Sequence, residues 1–539
     1  MKASETPVLI VGGGPVGLAL AAELGWRGVP CTLIEQSDGR ITTPKMNEVN
    51  TRTMEFCRRW GIADRVMRCP FPDDYPLDVV FVTTLGGHEI ARMERPPRKD
   101  QRPGPFSPMT LQICSQMWFD PMLLELARSF PHVQVRHRTH FDSYEARRDG
   151  VLARITEVTS GIEEIVHTRY LAGCDGANSA IRRSVGIKMI GSDLLSRPLH
   201  LYFRTPDLMG QLGKRQGTFY LAIDRAGIWA NVRVIDPVQG LWRLMVLDAP
   251  GVDHPSQVDR ESYLRRAVGR NLDVDWVGVS IWTRRGVVAE RYSDGPVHLL
   301  GDAVHQLSPT GALGMNTGIG DAVDLGWKLA AVHEGWGGGA LLASYDAERR
   351  PVGVRNVTMT TGFFQSHGSF AHAMERIEDA TPDGAAFRKE LGEKLVHDVA
   401  RMFRTLGLEL GYRYDPSPIC VPDDSPSPPD DPERFVPSAR PGCRAPHVSL
   451  SGDRSTLDLF GKGFILLRLD ESAPDPSPME RVAAQKRVPF SVVTLREPAV
   501  REIYAASLVL VRPDGHVAWR ANALHSDLNQ LIDRVRGAI

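Results

Sequence analysis

The sequence predicts an α/β protein with more than one core, and three observations carry that expectation. A short apolar run at 8–11 leads directly into Gly12-Gly13-Gly14-Pro15-Val16-Gly17 and an apolar helical stretch. Between about 198 and 292 the texture changes to aromatic, alternating runs. A proline-rich segment then separates a second, smaller α/β pattern at the C-terminal end. At 539 residues, against roughly 150 per domain, the chain is too long for one simple core.

Taken in order, residues 8–11 read as a buried parallel strand, 18–26 as a helix ended by Gly28, and 31–35 as the next strand. Together they form one βαβ unit. Helices are expected at about 51–60, closed by Gly61, and at 119–129 before Pro131, with a strand suggested by the alternation at 132–136. Runs at 199–203, 218–223, 229–234, 241–247 and 277–282 read as a mainly antiparallel sheet inserted between two parts of the first domain. Residues 299–302 return to the buried-strand texture, and 321–332 are strongly helical. Nine prolines between 416 and 441, interleaved with Ser and Asp, are linker composition. Beyond it, 464–469, 491–495 and 508–511 read as strands and 522–535 as a closing helix. The expected division is a first domain over 1–190 and 293–415, an insert over 191–292, a linker over 416–441 and a tail domain over 442–539.

Composition removes several function classes. With 42% hydrophobic and 24% charged residues the chain has the balance of a folded protein, not of a disordered one. A net charge of −1 takes away the electrostatic case for nucleic acid. Seven cysteines with no C-x-x-C pair suggest neither a disulfide framework nor a zinc site, which fits a reducing cytoplasm. The apolar stretch 8–22 is too short to cross a membrane and carries four glycines.

Gly12-x-Gly14-x-x-Gly17, after a strand and opening a helix, has the context of a Rossmann-like dinucleotide fingerprint. Its first glycine permits a tight turn, the second lets backbone approach a pyrophosphate, and the third lets helix and strand pack closely. Pro15 suits the first helical position, and the helix start offers amide donors to the anion. Glu35, at the end of the next strand, is placed to accept hydrogen bonds from a ribose diol. The fingerprint alone does not separate FAD from a nicotinamide coenzyme.

Two later segments separate them. Cys174-Asp175-Gly176-Ala177-Asn178-Ser179 with Arg182, and Gly301-Asp302-Ala303-Val304-His305 running through Pro309 and Gly311 to Gly314-Met315-Asn316-Thr317, follow the fingerprint in order. With these residues the chain resembles the class A flavoprotein monooxygenases, aromatic hydroxylases of the para-hydroxybenzoate hydroxylase fold. The tail, with Pro441-Gly442-x-Arg444-Ala445-Pro446-His447, resembles the thioredoxin-like extension of the phenol hydroxylase branch. It carries only Cys443 and so lacks the paired thiols of a working thioredoxin site.

The resemblance implies a Rossmann-like FAD-binding domain with an inserted β-sheet substrate domain. It implies that Asp302 accepts a hydrogen bond from the flavin ribityl chain, and that Asp175 bridges the FAD region and the approach of NADPH or NADH. The amides of Met315 and Asn316 are expected at the flavin pyrimidine edge. Gly311-Ala312 departs from the two adjacent glycines common in relatives. Gln116 resembles a glutamine that touches the flavin, with Asp120 where Glu is usual; Lys45 and Arg52 lie where relatives place an arginine near flavin and coenzyme. His305 is expected to be structural, and no catalytic base is assigned. On the inserted sheet, Arg204, Tyr220, Trp229 and Asn231 are the substrate candidates.

The function these residues imply is hydroxylation of a small phenolic substrate with O₂ and NAD(P)H through a flavin C4a-hydroperoxide, in a homodimer. The rivals are a reductase or dehydrogenase of the same fold without oxygen insertion, and a catalytically silent flavoprotein that serves as a binding partner. A flavin halogenase is disfavoured because W-x-W-x-I-P is absent.

Overall fold

The computed structural model describes residues 2–366 and 374–539. The N-terminal apolar run extends into a strand, Lys2–Val11, that pairs in parallel with Cys31–Ile34 on one side and Glu163–Gly173 on the other. Val133–Arg136 and Val297–Leu299 add parallel strands outside these, so the sheet centre is buried and reads as continuous apolar sequence. Thr139–Arg147 and Gly150–Glu157 attach as an antiparallel hairpin. The helix Pro15–Arg27 opens with proline in its first turn and ends on Gly28 at φ +87°. Its partner is the helix Gly314–His333, which starts seven residues before the expected 321.

A second sheet has seven strands in the order Asp275–Ile281, Leu199–Arg204, Leu241–Val246, Gly227–Asp236, Phe219–Asp224, Val79–Val82 and Glu89–Met93. It is antiparallel except where Phe219–Asp224 meets Val79–Val82. Its last two strands come from before the inserted stretch. One face carries Leu201, Phe203, Trp242 and Leu244 into the main core, which also takes in Leu264 of the helix Arg260–Val268. At one end of the other face, Val79, Phe81 and Leu221 are covered by Leu395 and Val399 of the helix Pro382–Ala400.

The tail is a four-stranded sheet in the order Phe490–Thr494, Phe464–Arg468, Leu508–Val511, Val517–Ala521, with one parallel pair and two antiparallel pairs. It docks on the far half of Gly314–His333: Trp327 stacks on Trp336, and Phe464 meets both edge-on. Beside them lies a buried ion network. Lys328 reaches Asp324 at 2.7 Å and Glu348 at 2.6 Å, and Arg512 of the tail binds Glu348 at 2.5 Å and Asp514 at 2.7 Å. The tail thus braces the helix whose first turn faces the site. Among the described residues, no helix is long and apolar enough to cross a membrane.

Candidate active site

The glycine loop has the geometry its spacing demands. Gly12 sits at φ +110°, and a Cβ there would lie 2.3 Å from the Cys174 carbonyl oxygen; one on Gly17 would lie 2.0 Å from the Gly12 oxygen. Gly14 faces open space and caps the helix without a side-chain bond. The amides of the first turn have no carbonyl within the helix, so an uncapped donor cluster faces a cradle that a larger residue would fill. Glu35 is held beside it, accepting from the Gly13 amide at 2.8 Å and the Ser37 amide at 2.8 Å. Each carboxylate oxygen retains a lone pair for a diol.

Three segments converge on this loop. Val16 touches the positions that Cβ atoms would occupy on Gly301 and Gly318, at 3.0 and 2.5 Å, so the first turn of Pro15–Arg27, the Gly301–Ala303 turn and Gly314–His333 meet. Asp302, on the Gly301–Ala303 turn at this junction, is exposed. Desolvation by neighbouring protein raises its carboxyl pKa, against the lowering influence of His305 and Lys45. Asp175 accepts from the Ile181 amide at 3.1 Å through one oxygen and leaves the other buried without a partner. Arg182 and Gln306 lock the two turns together, donating to Ala303 O and Ala177 O, both at 2.9 Å.

The 311–315 loop begins with Gly311 at φ +89° and Ala312 at φ +54°. The second value is left-handed, a conformation that glycine adopts freely and that strains alanine. Pro309 closes the turn by accepting from the Ala312 amide at 3.1 Å. Gly314 faces open space, and the helix it opens has no side-chain cap. The amides of Met315 and Asn316 are therefore free of intrahelical partners. The Asn316 side chain is not free: it donates to Ala312 O at 2.8 Å and Glu48 O at 3.2 Å and accepts from the Asn50 amide at 3.1 Å. It ties the helix start to the 47–50 segment.

Gln116 fixes the neighbouring segment, accepting from the Lys45 amide and donating to Asp120 Oδ2, both at 3.0 Å. Burial pushes the Asp120 carboxyl up to about 7, with Gln116 opposing. The Lys45 side chain is exposed and close enough to Asp302 to lower its pKa. His305 is fully buried against Asp321, Nε2 to Oδ2 at 2.7 Å, while Arg349 holds the other oxygen at 2.8 Å. This is the structural role expected of it.

Three expectations are corrected. Arg52 does not reach the cofactor cradle: its guanidinium is buried between Glu55 at 2.8 Å, Tyr412 at 3.3 Å and the Asp514 carbonyl at 3.2 Å. Tyr220 packs against Trp242 on the sheet face turned to the main core. Trp229 is the extra residue of a bulge, between the pairs Ala222↔Ala230 and Ile223↔Ile228, and stacks on the Arg266 guanidinium at 3.9 Å.

The sheet face turned to the cofactor cradle is identified by its ties to the 43–48 segment. Tyr202 donates to Pro44 O at 2.9 Å, and Arg233 pairs with Glu48 at 2.6 Å. Alternation puts Arg204, Asn231, Arg243, Met245 and His200 on the same face. Arg204 is at its margin, held by Gln239, whereas Asn231 is central, 2% exposed, with Oδ1 unpartnered. Trp282 donates to His200 Nε2 at 3.0 Å, which leaves that nitrogen unprotonated. Burial first, then Arg243, Arg284 and Lys45, hold the His200 pKa well below its ordinary value. Arg204 and Asn231 were candidates from sequence, whereas His200, Tyr202, Arg243 and Met245 were missed; a lone Arg243 inside the apolar run Leu241–Val246 was the available signal.

The comparisons with known proteins agree with this geometry. A family model described as FAD binding domain matches residues 5–360, and one described as aromatic-ring hydroxylase, C-terminal, matches 438–538. An FAD-dependent monooxygenase of Emericella nidulans is 34% identical over 96% of this chain and 88% of its own length. A 2,4-dichlorophenol 6-monooxygenase of Cupriavidus pinatubonensis is 30% identical over 97% and 94%. Among solved structures, chromopyrrolic acid-soaked RebC with bound 7-carboxy-K252c matches with TM-score 0.92 and 39% identity over 100% of both chains. A ternary complex of aklavinone-11 hydroxylase with FAD and aklavinone matches with TM-score 0.81 and 29% identity, also over 100% of both.

Proposed function

The chain belongs to the FAD-dependent aromatic-ring hydroxylases, and from that premise we propose that it hydroxylates a phenolic ring seated between the 311–315 loop and the His200, Tyr202, Asn231 and Arg243 face. It is an aromatic monooxygenase that uses NAD(P)H; relatives so named do not favour a reductase without oxygen insertion. The observation that carries the reading is the convergence of two uncapped helix starts, at Gly14 and Leu313, on Asp302. One suits a pyrophosphate, the other an edge where negative charge develops, and the carboxylate between them suits a polyol.

Bound FAD, reduced by NAD(P)H, supplies the oxygen chemistry. The chain's own residues do the rest. Glu35 would hold the ribose diol, Asp302 would accept from the ribityl chain, and the Met315 and Asn316 amides would serve the pyrimidine edge. An unperturbed phenol has a pKa near 10, and Arg243, Arg284 and Lys45 give the sheet face a positive potential that favours the phenolate oxygen. His200 stays neutral among them, and Trp282 and Met245 would keep water from the ring. The named ligands of relatives, K252c derivatives and aklavinone, support an aromatic ligand here.

The same reading includes a homodimer in a reducing cytoplasm, and a division into FAD-binding, substrate and tail domains near 190, 293 and 441. The seven cysteines, all free, support the compartment. The test is an aromatic library screened on the FAD-loaded protein for stimulated NAD(P)H oxidation, with product mass measured alongside. A phenol that stimulates oxidation and gains one oxygen supports the reading; no stimulation by any member favours a catalytically silent flavoprotein.

A further inference from the structure

Arg98 is buried, and among the described residues no carboxylate pairs with it. Its Nη1 donates to the Cys69 sulfur at 3.0 Å, its Nη2 to the carbonyl oxygens of Phe71 and Cys69, and its Nε has no partner. A buried cation without a counter-ion is costly to keep in a fold. The Cys69 sulfur, once ionised, is the anion within its reach.

Cys69 also has a second thiol beside it. As a thiol it can donate to the carbonyl oxygen of Ile113 at 3.2 Å, which places it against the residue before Cys114; as a thiolate it accepts from both Arg98 and the Cys114 thiol. The hydrogen bond from Cys114 and then the charge of Arg98 hold the Cys69 thiol below its ordinary value, against burial. That same bond, with burial, raises Cys114 in turn. The remaining cysteines, Cys31, Cys57, Cys174, Cys420 and Cys443, are all raised, by burial above all. Access differs as well. Cys69 is 4% exposed between exposed Arg68 and Pro70, whereas Cys114 is fully enclosed, so a small oxidant meets Cys69 first.

We propose that Cys69 is a peroxide-reactive thiolate and Cys114 its resolving thiol, so that hydrogen peroxide converts the pair to a disulfide. The Cys69 sulfur attacks one peroxide oxygen; the S–O bond forms as the O–O bond breaks, and hydroxide leaves. Cys69 is now a sulfenic acid, and the hydroxide takes the Cys114 proton as water. The Cys114 sulfur then attacks Cys69, the S–S bond forms, the S–O bond breaks, and the departing oxygen leaves as the second water. Two thiols are oxidised and one peroxide is reduced. Coenzyme oxidation that does not end in oxygen insertion yields hydrogen peroxide, so the enzyme's own failed turnovers are a source of it. The bond would tie Cys69 to the segment that continues into Gln116, which accepts from the Lys45 amide beside the cofactor cradle.

The FAD-loaded protein is treated with hydrogen peroxide without aromatic substrate, quenched, unfolded, alkylated and mapped by peptide mass. Cys69 is expected to be lost at least about 10-fold faster than the five raised cysteines, in line with its greater thiolate fraction, and to be recovered in one peptide pair with Cys114 that dithiothreitol separates. In Cys114→Ser the reaction should stop at a sulfenic acid on Cys69 that dimedone captures. Arg98→Met should slow the loss of Cys69 and move the pH midpoint of its alkylation upward, and Arg98→Lys should restore part of both. Should these variants fail to fold, the wild-type map still decides. Oxidation of Cys69 no faster than that of the five raised cysteines, or a Cys69 that never pairs with Cys114, overturns the proposal. Because the peroxide is added directly, either result leaves the proposed hydroxylation standing.

Discussion

Arg182 donates to the carbonyl of Ala303 at 2.9 Å, joining residues 121 apart in the chain. The Asp175-Gly176 turn and the Gly301–Ala303 turn are therefore one rigid unit. Arg182→Met removes a charged donor worth about 1.5–3 kcal/mol without touching the cofactor cradle itself. Both melting temperature and FAD affinity should fall. A lower melting temperature with unchanged affinity in an FAD titration would show that the two turns act independently.

Asp302→Ala should weaken FAD binding by about 10- to 150-fold, the equivalent of about 1.5–3 kcal/mol for a charge-assisted hydrogen bond. Equilibrium dialysis of the apoprotein reads this directly. Asp302→Asn should lie between the two, because it keeps an acceptor and loses the charge.

Ala312, at φ +54°, carries a Cβ in left-handed backbone, which costs about 1–2 kcal/mol relative to glycine before glycine's greater unfolded-state freedom is counted. Ala312→Gly should be neutral to stabilising by about 1 kcal/mol, and Ala312→Val should destabilise. Thermal unfolding of the apoprotein distinguishes the two directions; a clear loss in Ala312→Gly contradicts the strain argument.

Glu55 joins the tail to the first domain through Arg444, with Arg52 beside it. Burial pushes its carboxyl up, but Arg444 and then Arg52 pull it below the ordinary range. A lowered folded pKa contributes stability that is present above the unfolded value, about 4.3, and is lost as pH falls through the folded value. Urea unfolding should show docking weakening as pH falls below about 4. Glu55→Gln should cost about 3–5 kcal/mol at neutral pH and flatten that part of the acid dependence.

The βαβ unit was legible because glycine spacing, proline and apolar runs all agree at 8–35. The first turn of Gly314–His333 was not, since Gly314, Gly318 and Gly320 weaken the local helix signal, while Val16 and Arg349 require Gly318 and Gly320 to be small. The helix Ala343–Ser366 was missed with Pro351 inside it. Val79–Val82 was missed although one partner, Glu89–Met93, is near in sequence; its other partner, Phe219–Asp224, lies far along the chain. On the substrate side, alternation identifies a face only until a bulge intervenes, and Trp229 sits in one. The buried charges of Lys328, Glu348 and Arg512 read as surface residues in sequence because their partners are distant. Each piece of the cofactor cradle is a local motif legible by itself; the substrate face is assembled from residues whose roles only tertiary contact reveals.

The central claim, oxygen insertion into an aromatic ring, is tested most directly by turnover under ¹⁸O₂ with FAD, NAD(P)H and an aromatic compound that stimulates coenzyme oxidation. The account predicts a hydroxylated product carrying one labelled oxygen atom from dioxygen. A product without label, or coenzyme consumed with hydrogen peroxide as the only product from every stimulating compound, would contradict it.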